Sequence, residues 1–310
     1  MKKTILITAA AVGLVLAGIF SYKICSKAFI SCTKNIAARS ASWAELKDHI
    51  SKATKGYRGD AAIVIKDLDM NWQIEANKDM PIPSASLVKI PIMMAYFRAA
   101  EEGKLKFSDT IELKQSDKAA GSGLLKNMAA GSPCKIEDLI YLMITQSDNT
   151  AANMLIDRLG VGSLDRYFSE LGLKHTNLSR KMMDFRLRKN GVENYTTVGD
   201  MAYILEQLYR GRFLTKAISK RCLELLSEQK INDRIPRRLP SDVTVAHKTG
   251  LENGVCHDVG IAYTAKGNFL ICVLTKHEYT TARPTKQLIS RLSLLTYNYY
   301  NSVDTSNIER

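Results

Sequence analysis

The sequence predicts a mixed α/β domain of the α+β kind. One antiparallel sheet is formed from both chain ends with flanking helices, and an all-helical lobe is inserted between them. Three observations predict it. Strand-like residues fill "DAAIVIKDLDMNWQIEAN", 60–77, near the start of the body. Three more β-branched runs, "VTVAHKTG", "HDVGIAYTA" and "NFLICVLTK", lie between 243 and 276 near the end. From 103 to 230 apolar residues recur mostly at helical spacing.

The elements follow in order. "SWAELKDHISKAT" begins with Ser42 as a helix cap. Residues 60–77 read as two short strands around a turn at Asp67 to Asn71. Residues 86–101 are helical, and "IEDLIYLMITQ", "TAANMLIDRLG", "SLDRYFSELG", "GDMAYILEQLYRG" and "TKAISKRCLELLSEQ" continue the pattern, with Gly160, Gly172 and Gly211 at C-terminal cap positions. The longest stretch without periodicity, about 174–197, is a loop of the length that usually carries function. The last two strands join at a Lys266-Gly267 turn, and "RPTKQLISRLSLLTYNYY" is a closing helix with Pro284 near its first position. The expected organisation is a leader and linker, 1–34, then one domain, 35–310. Its α/β lobe takes 42–80 and 240–303 and its helical lobe 81–239.

With 310 residues, 45% of them hydrophobic, the chain can bury a sizeable core and is not disordered. The net charge of +13 suits an anionic partner, but Lys and Arg are scattered and no nucleic-acid-binding signature occurs, so nucleic acid is not expected. Lys2 and Lys3 precede the uncharged stretch Thr4 to Tyr22, which reads as a secretory signal or a membrane anchor. Ser26-Lys27-Ala28 suits cleavage after Ala28. The protein is therefore expected to be exported, to touch a membrane only through this segment, and to be a monomer. The six cysteines, Cys25, Cys32, Cys134, Cys222, Cys256 and Cys272, form neither a CxxC pair nor a metal-ligand spacing.

Chemistry enters at "IPSASLVKIPIMM", 82–94. Ser86 and Lys89 are three apart, so on a helix they share a face with Cβ atoms about 5–6 Å apart. A serine hydroxyl is a weak nucleophile until a base takes its proton. A lysine is such a base only when burial or a neighbouring positive charge lowers its pKa. The pair alone is weak evidence, because Ser31/Lys34, Ser132/Lys135 and Ser227/Lys230 share the spacing. Ser147-Asp148-Asn149 falls between two helices, where all three types also serve as caps. Lys248-Thr249-Gly250 ends a strand. His247 and His257 read as locally hydrogen-bonded strand residues rather than zinc ligands, Asp258 as a brace behind Lys248, and Met93-Met94 as core.

SxxK, SDN and KTG in this order resemble the class A serine β-lactamase family. The likeness spans about Trp43 to Tyr300, in the settings "PSASLVKIPIM", "ITQSDNTAANMLI" and "VAHKTGLENGVCHDVGIAY". The resemblance implies Ser86 as the acylated nucleophile, Lys89 as its proton acceptor and Ser147 as proton donor to the leaving nitrogen. It implies Asn149 on the substrate's side-chain amide, Lys248 and Thr249 on its carboxylate, and the N–H groups of Ser86 and Leu251 as oxyanion hole. Gly250 would let the substrate backbone approach the strand. Acyl transfer on a small β-lactam or a cell-wall peptide would need neither metal nor organic cofactor.

One departure bears on turnover. The family's deacylating glutamate lies two residues past an arginine in the long loop, and here Met182 stands two past Arg180. Asp184 is the nearest carboxylate and the candidate substitute base, with Glu193 second; Asp184 pairing with Arg180 as a brace is the alternative. Slow deacylation is the expectation. The rival readings are a penicillin-binding D,D-peptidase and an inactive binding module of the same fold.

Overall fold

The computed structural model describes residues 36–302; the expected signal or anchor segment, the expected cleavage position after Ala28, Cys25 and Cys32 lie outside these residues. A helix, α1, covers 36–54. It runs through Ser42, so Ser42 is not a cap. Its early turn is fixed instead by buried Arg39, which donates to Asp67 Oδ2 at 2.7 Å and to the Tyr299 hydroxyl at 3.1 Å.

The sheet comprises β1 (Gly59–Asp67), β2 (Gln73–Ala76), β7 (Thr244–Glu252), β8 (Val255–Thr264) and β9 (Gly267–His277). The order is β2-β1-β9-β8-β7 with antiparallel pairing throughout, so the N-terminal strands join the C-terminal ones through Ile63↔Val273 and neighbouring pairs. Both faces are covered, which is why the strands read as unbroken apolar runs. Ala62 and Val64 of β1, with Leu270, Cys272 and Leu274 of β9, face the helical lobe. Ile63, Ile65, Phe269, Ile271 and Val273 alternate with them and pack on α1 and the closing helix α9 (Arg283–Ser302).

The helical lobe holds α2 (Lys89–Glu101), α3 (Ile136–Thr145), α4 (Asn149–Leu159), α5 (Val161–Glu170), α6 (Phe185–Lys189), α7 (Val198–Tyr209) and α8 (Lys216–Ser227). Gly160, Gly172 and Gly211 have positive φ where the helices end. Two short pairings escape the periodicity reading because each strand has only two or three residues. β3 (Ile82–Pro83) pairs with β6 (Tyr195–Thr196), and β4 (Thr110–Glu112) with β5 (Pro133–Lys135). Met93 and Met94 lie in the core, and Cys134, Cys222, Cys256 and Cys272 are buried free thiols. No helix among the described residues is long and apolar enough to cross a membrane.

Candidate active site

Ser86 sits in a single 3-10 turn, Ala85–Val88, that runs directly into α2. Ala85 has φ +45°, an unusual conformation for a residue with a side chain, and several contacts enforce it. Ser84 N–H donates to the Asn194 carbonyl at 2.8 Å, and Leu87 N–H to the Ser84 carbonyl at 3.0 Å. The His257 ring reaches across from β8: Nδ1 accepts from Thr275 N–H, so Nε2 carries the proton and donates to the Pro83 carbonyl at 2.8 Å. Burial drives this imidazole's pKa down to about 4, so it is neutral in that role.

The three motifs meet around this turn. Lys89 is fully buried, and its Nζ lies 2.7 Å from the Ser147 carbonyl, 2.8 Å from Asn149 Oδ1 and 3.3 Å from Ser147 Oγ, with no hydrogen bond to Ser86. Burial, then the charge of Lys248, pushes its pKa well below the usual lysine range, against an opposing effect of Asp148. A lysine amine in its neutral form has two N–H bonds and a lone pair. In that form the two short contacts account for the hydrogens, and the lone pair is free to accept a proton.

Lys248 enters from β7, the edge strand, and donates to Ser147 Oγ at 3.0 Å and to its neighbour's carbonyl, Thr249 O, at 3.0 Å. Burial lowers its pKa to about 7, with Asp258 opposing and Arg234 adding to the fall. Ser147 has φ +56°, which turns the chain between α3 and α4 so that its hydroxyl stands between the two lysines. Asp148 supports it from below: Oδ1 caps α4 through Ala151 N–H at 3.0 Å, and Oδ2 accepts from Leu124 N–H at 2.7 Å and Leu125 N–H at 3.0 Å. That loop must have glycine at 123, where φ is +106° and a Cβ would fall 2.1 Å from Asp148 Cγ. Asn149 Nδ2 donates to the Ala120 carbonyl at 2.9 Å.

Gly250 has a use within the fold itself. A Cβ there would lie 2.9 Å from the His257 ring, 3.3 Å from Ser84 O and 3.4 Å from Ala85 Cβ. The missing side chain lets β7 close on the serine turn, quite apart from any approach by substrate. Leu251, the next residue, is exposed. Behind the strand, Asp258 joins His247 Nδ1 at 2.9 Å to Ile235 N–H at 3.0 Å, which braces the segment carrying buried Arg234.

The long loop is closed at its neck. Arg180 Nη2 pairs with Glu193 Oε1 at 2.6 Å and reaches Glu252 Oε1 at 3.3 Å, while Arg188 pairs with both acids. Asn194 Oδ1 accepts from Ser179 and Arg180 N–H at 2.7 and 3.0 Å. Arg180 therefore braces the loop through Glu193, not through Asp184. Asp184 shares no hydrogen bond or ion pair with the serine–lysine cluster, and its Oδ1 accepts from Leu187 N–H at 3.0 Å to cap α6. Met182 is buried beside α4, where Asn153 Oδ1 accepts its N–H at 2.8 Å and Asn153 Nδ2 donates to its carbonyl at 3.2 Å. Sequence reasoning missed Asn153, Asn194 and Arg234. Asn153 had a usable signal, since it stands four residues past Asn149 and so shares its helix face.

A serine opening a helix, with a lysine below it whose amine is dry and a second serine joining that amine to another lysine, is the arrangement of a serine hydrolase of β-lactamase or penicillin-binding type. The chain belongs to the beta-lactamase enzyme family, whose model matches residues 45–300. It is 26% identical over 267 residues to beta-lactamase VEB-1 of Pseudomonas aeruginosa, covering 81% of this chain and 89% of that one. Among solved structures, the beta-lactamase from Sphaerobacter thermophilus superposes with TM-score 0.76 at 30% identity, over 84% of this chain and 99% of that one. A mutant of PBP-A, solved as an acyl-enzyme complex with penicillin-G, does so with TM-score 0.76 at 28% identity, over 84% and 97%.

Proposed function

We propose that this protein opens β-lactam rings through a Ser86 ester and releases the product slowly. The observation that carries the proposal is the shared Ser147 hydroxyl, approached by Lys89 Nζ at 3.3 Å and Lys248 Nζ at 3.0 Å. Lys248 and Thr249 hold the substrate carboxylate, and Asn149 its side-chain amide. Ser86 Oγ attacks the carbonyl carbon as Lys89 takes its proton. The developing oxyanion rests on the N–H groups of Ser86 and Leu251. The ring C–N bond breaks as Ser147 passes a proton to nitrogen, and Lys89 re-protonates Ser147. Hydrolysis of the ester then needs a base for water. Met182 offers a thioether at the position in question, and general-base help is typically worth about 10²–10⁴-fold. The apolar leader supports a site of action outside the cytoplasm.

A penicillin-binding D,D-peptidase acting on cell-wall peptide is the second reading, favoured by Met182. Nitrocefin kinetics separate the two. A burst equal to the enzyme concentration followed by slow steady turnover fits the first reading, and a burst with no turnover fits the second. Absence of any burst from folded protein would leave an inactive binding module.

A further inference from the structure

We infer, building on the acylation reading above, that His257 is the positioning residue of the oxyanion hole: it sets the separation of the Ser86 and Leu251 N–H groups, and acylation slows without it. These two donors come from different elements, the 3-10 turn and the edge strand β7, so neither element alone fixes their separation. Oxyanion donors work only when they stand about 2.7–3.1 Å from the developing charge. Turn and strand must therefore be held rigidly against each other.

His257 is buried and touches both. On β8 it stands opposite Gly250 in the ladder with β7, and Gly250 immediately precedes Leu251. The ring takes the room left by the missing side chain, since a Cβ on Gly250 would fall 2.9 Å from the imidazole Cδ2. Nε2 donates to the carbonyl of Pro83, three residues ahead of Ser86, at 2.8 Å. The imidazole is thus a spacer of fixed length between the strand and the turn.

The sheet gives up regular pairing to aim this ring. The β8–β9 register includes Val255↔Lys276 and then Asp258↔Val273, and passes over Cys256 and His257. In that gap Thr275 N–H donates to His257 Nδ1 at 3.1 Å, and the Thr275 hydroxyl donates to the Cys256 carbonyl at 2.7 Å. A bond to the ring thus stands where the ladder would place a bond between main chains, and it fixes the tautomer and direction of the imidazole. A side chain that only filled space would need no such exchange.

Two variants of the full chain separate positioning from filling. Asparagine puts an amide oxygen near the place of Nδ1 but falls short of Pro83, whereas glutamine puts an amide nitrogen near the place of Nε2. Rapid mixing with benzylpenicillin gives the acylation rate constant and the dissociation constant of the complex that precedes it. Infrared spectroscopy of the penicilloyl-enzyme gives the ester carbonyl stretch, whose frequency falls as the oxyanion hole polarises the bond. His257→Asn should acylate on the order of 10²-fold more slowly, the low end of the cost of losing one oxyanion donor, with an unchanged dissociation constant and a carbonyl band at higher frequency. His257→Gln should recover most of the rate and the native band. Equal acylation rates in the two folded variants would overturn this inference alone. If His257→Asn does not fold, a displaced carbonyl band in His257→Gln would overturn it. Failure of the native chain to acylate would overturn the reading beneath it as well.

Discussion

Asn153 grips Met182 by both backbone groups, accepting its N–H at 2.8 Å and donating to its carbonyl at 3.2 Å. The loop backbone is therefore fixed independently of the side chain at 182. Met182→Glu should fold, acylate at an unchanged rate and hydrolyse the ester about 10²–10⁴-fold faster. Single-turnover deacylation of the penicilloyl-enzyme measures this. A variant that loses acylation would refute the assignment of position 182.

Asp184 gives the complementary test. Its carboxylate is occupied by Leu187 N–H, and an asparagine side chain can make the same cap. Asp184→Asn should leave steady-state turnover unchanged. A clear fall would assign Asp184 as the deacylating base.

The pH profile of acylation should report Lys248. In the free enzyme it is charged below about 7 and neutral above. Neutral lysine holds a carboxylate poorly, so kcat/KM for a carboxylate-bearing β-lactam should fall as pH rises through that region. Lys248→Arg remains charged at every accessible pH, and the falling limb should disappear. Rapid-mixing acylation rates across the range check both profiles.

His257 should make folding sensitive to acid. Its pKa is about 4 in the folded chain against a usual 6.5, so between those values the unfolded chain binds a proton that the folded chain does not. The contribution is intact above 6.5 and is lost as pH falls toward 4, by roughly 3 kcal/mol in all. Urea unfolding at both ends of the window should show the loss in the native chain and a smaller one in His257→Gln, which does not titrate.

The sheet and the long helices were legible because each has a pattern several residues long, strands with β-branched runs and helices with repeated apolar spacing. Nothing so local marks β3 and β6, whose two-residue pairing ties the loop's exit to the serine turn. Ser86, Lys89, Ser147, Asn149 and Lys248 were readable as motifs, and the structure brings them together. The loop's bracing was harder to read. Glu193 is thirteen residues from Arg180 and Glu252 seventy-two, whereas Asp184 is near in sequence and so looked the better partner. Gly250 reads in sequence as room for substrate, although a Cβ there would also crowd the His257 ring at 2.9 Å and Ser84 O at 3.3 Å.

Acylation of Ser86 depends most on the buried amine of Lys89 acting as its base. Intact-mass spectrometry after brief exposure to benzylpenicillin at neutral pH tests this directly. The native chain should gain one penicilloyl unit, mapped to Ser86, and folded Lys89→Ala should gain none. Full labelling of Lys89→Ala would contradict it.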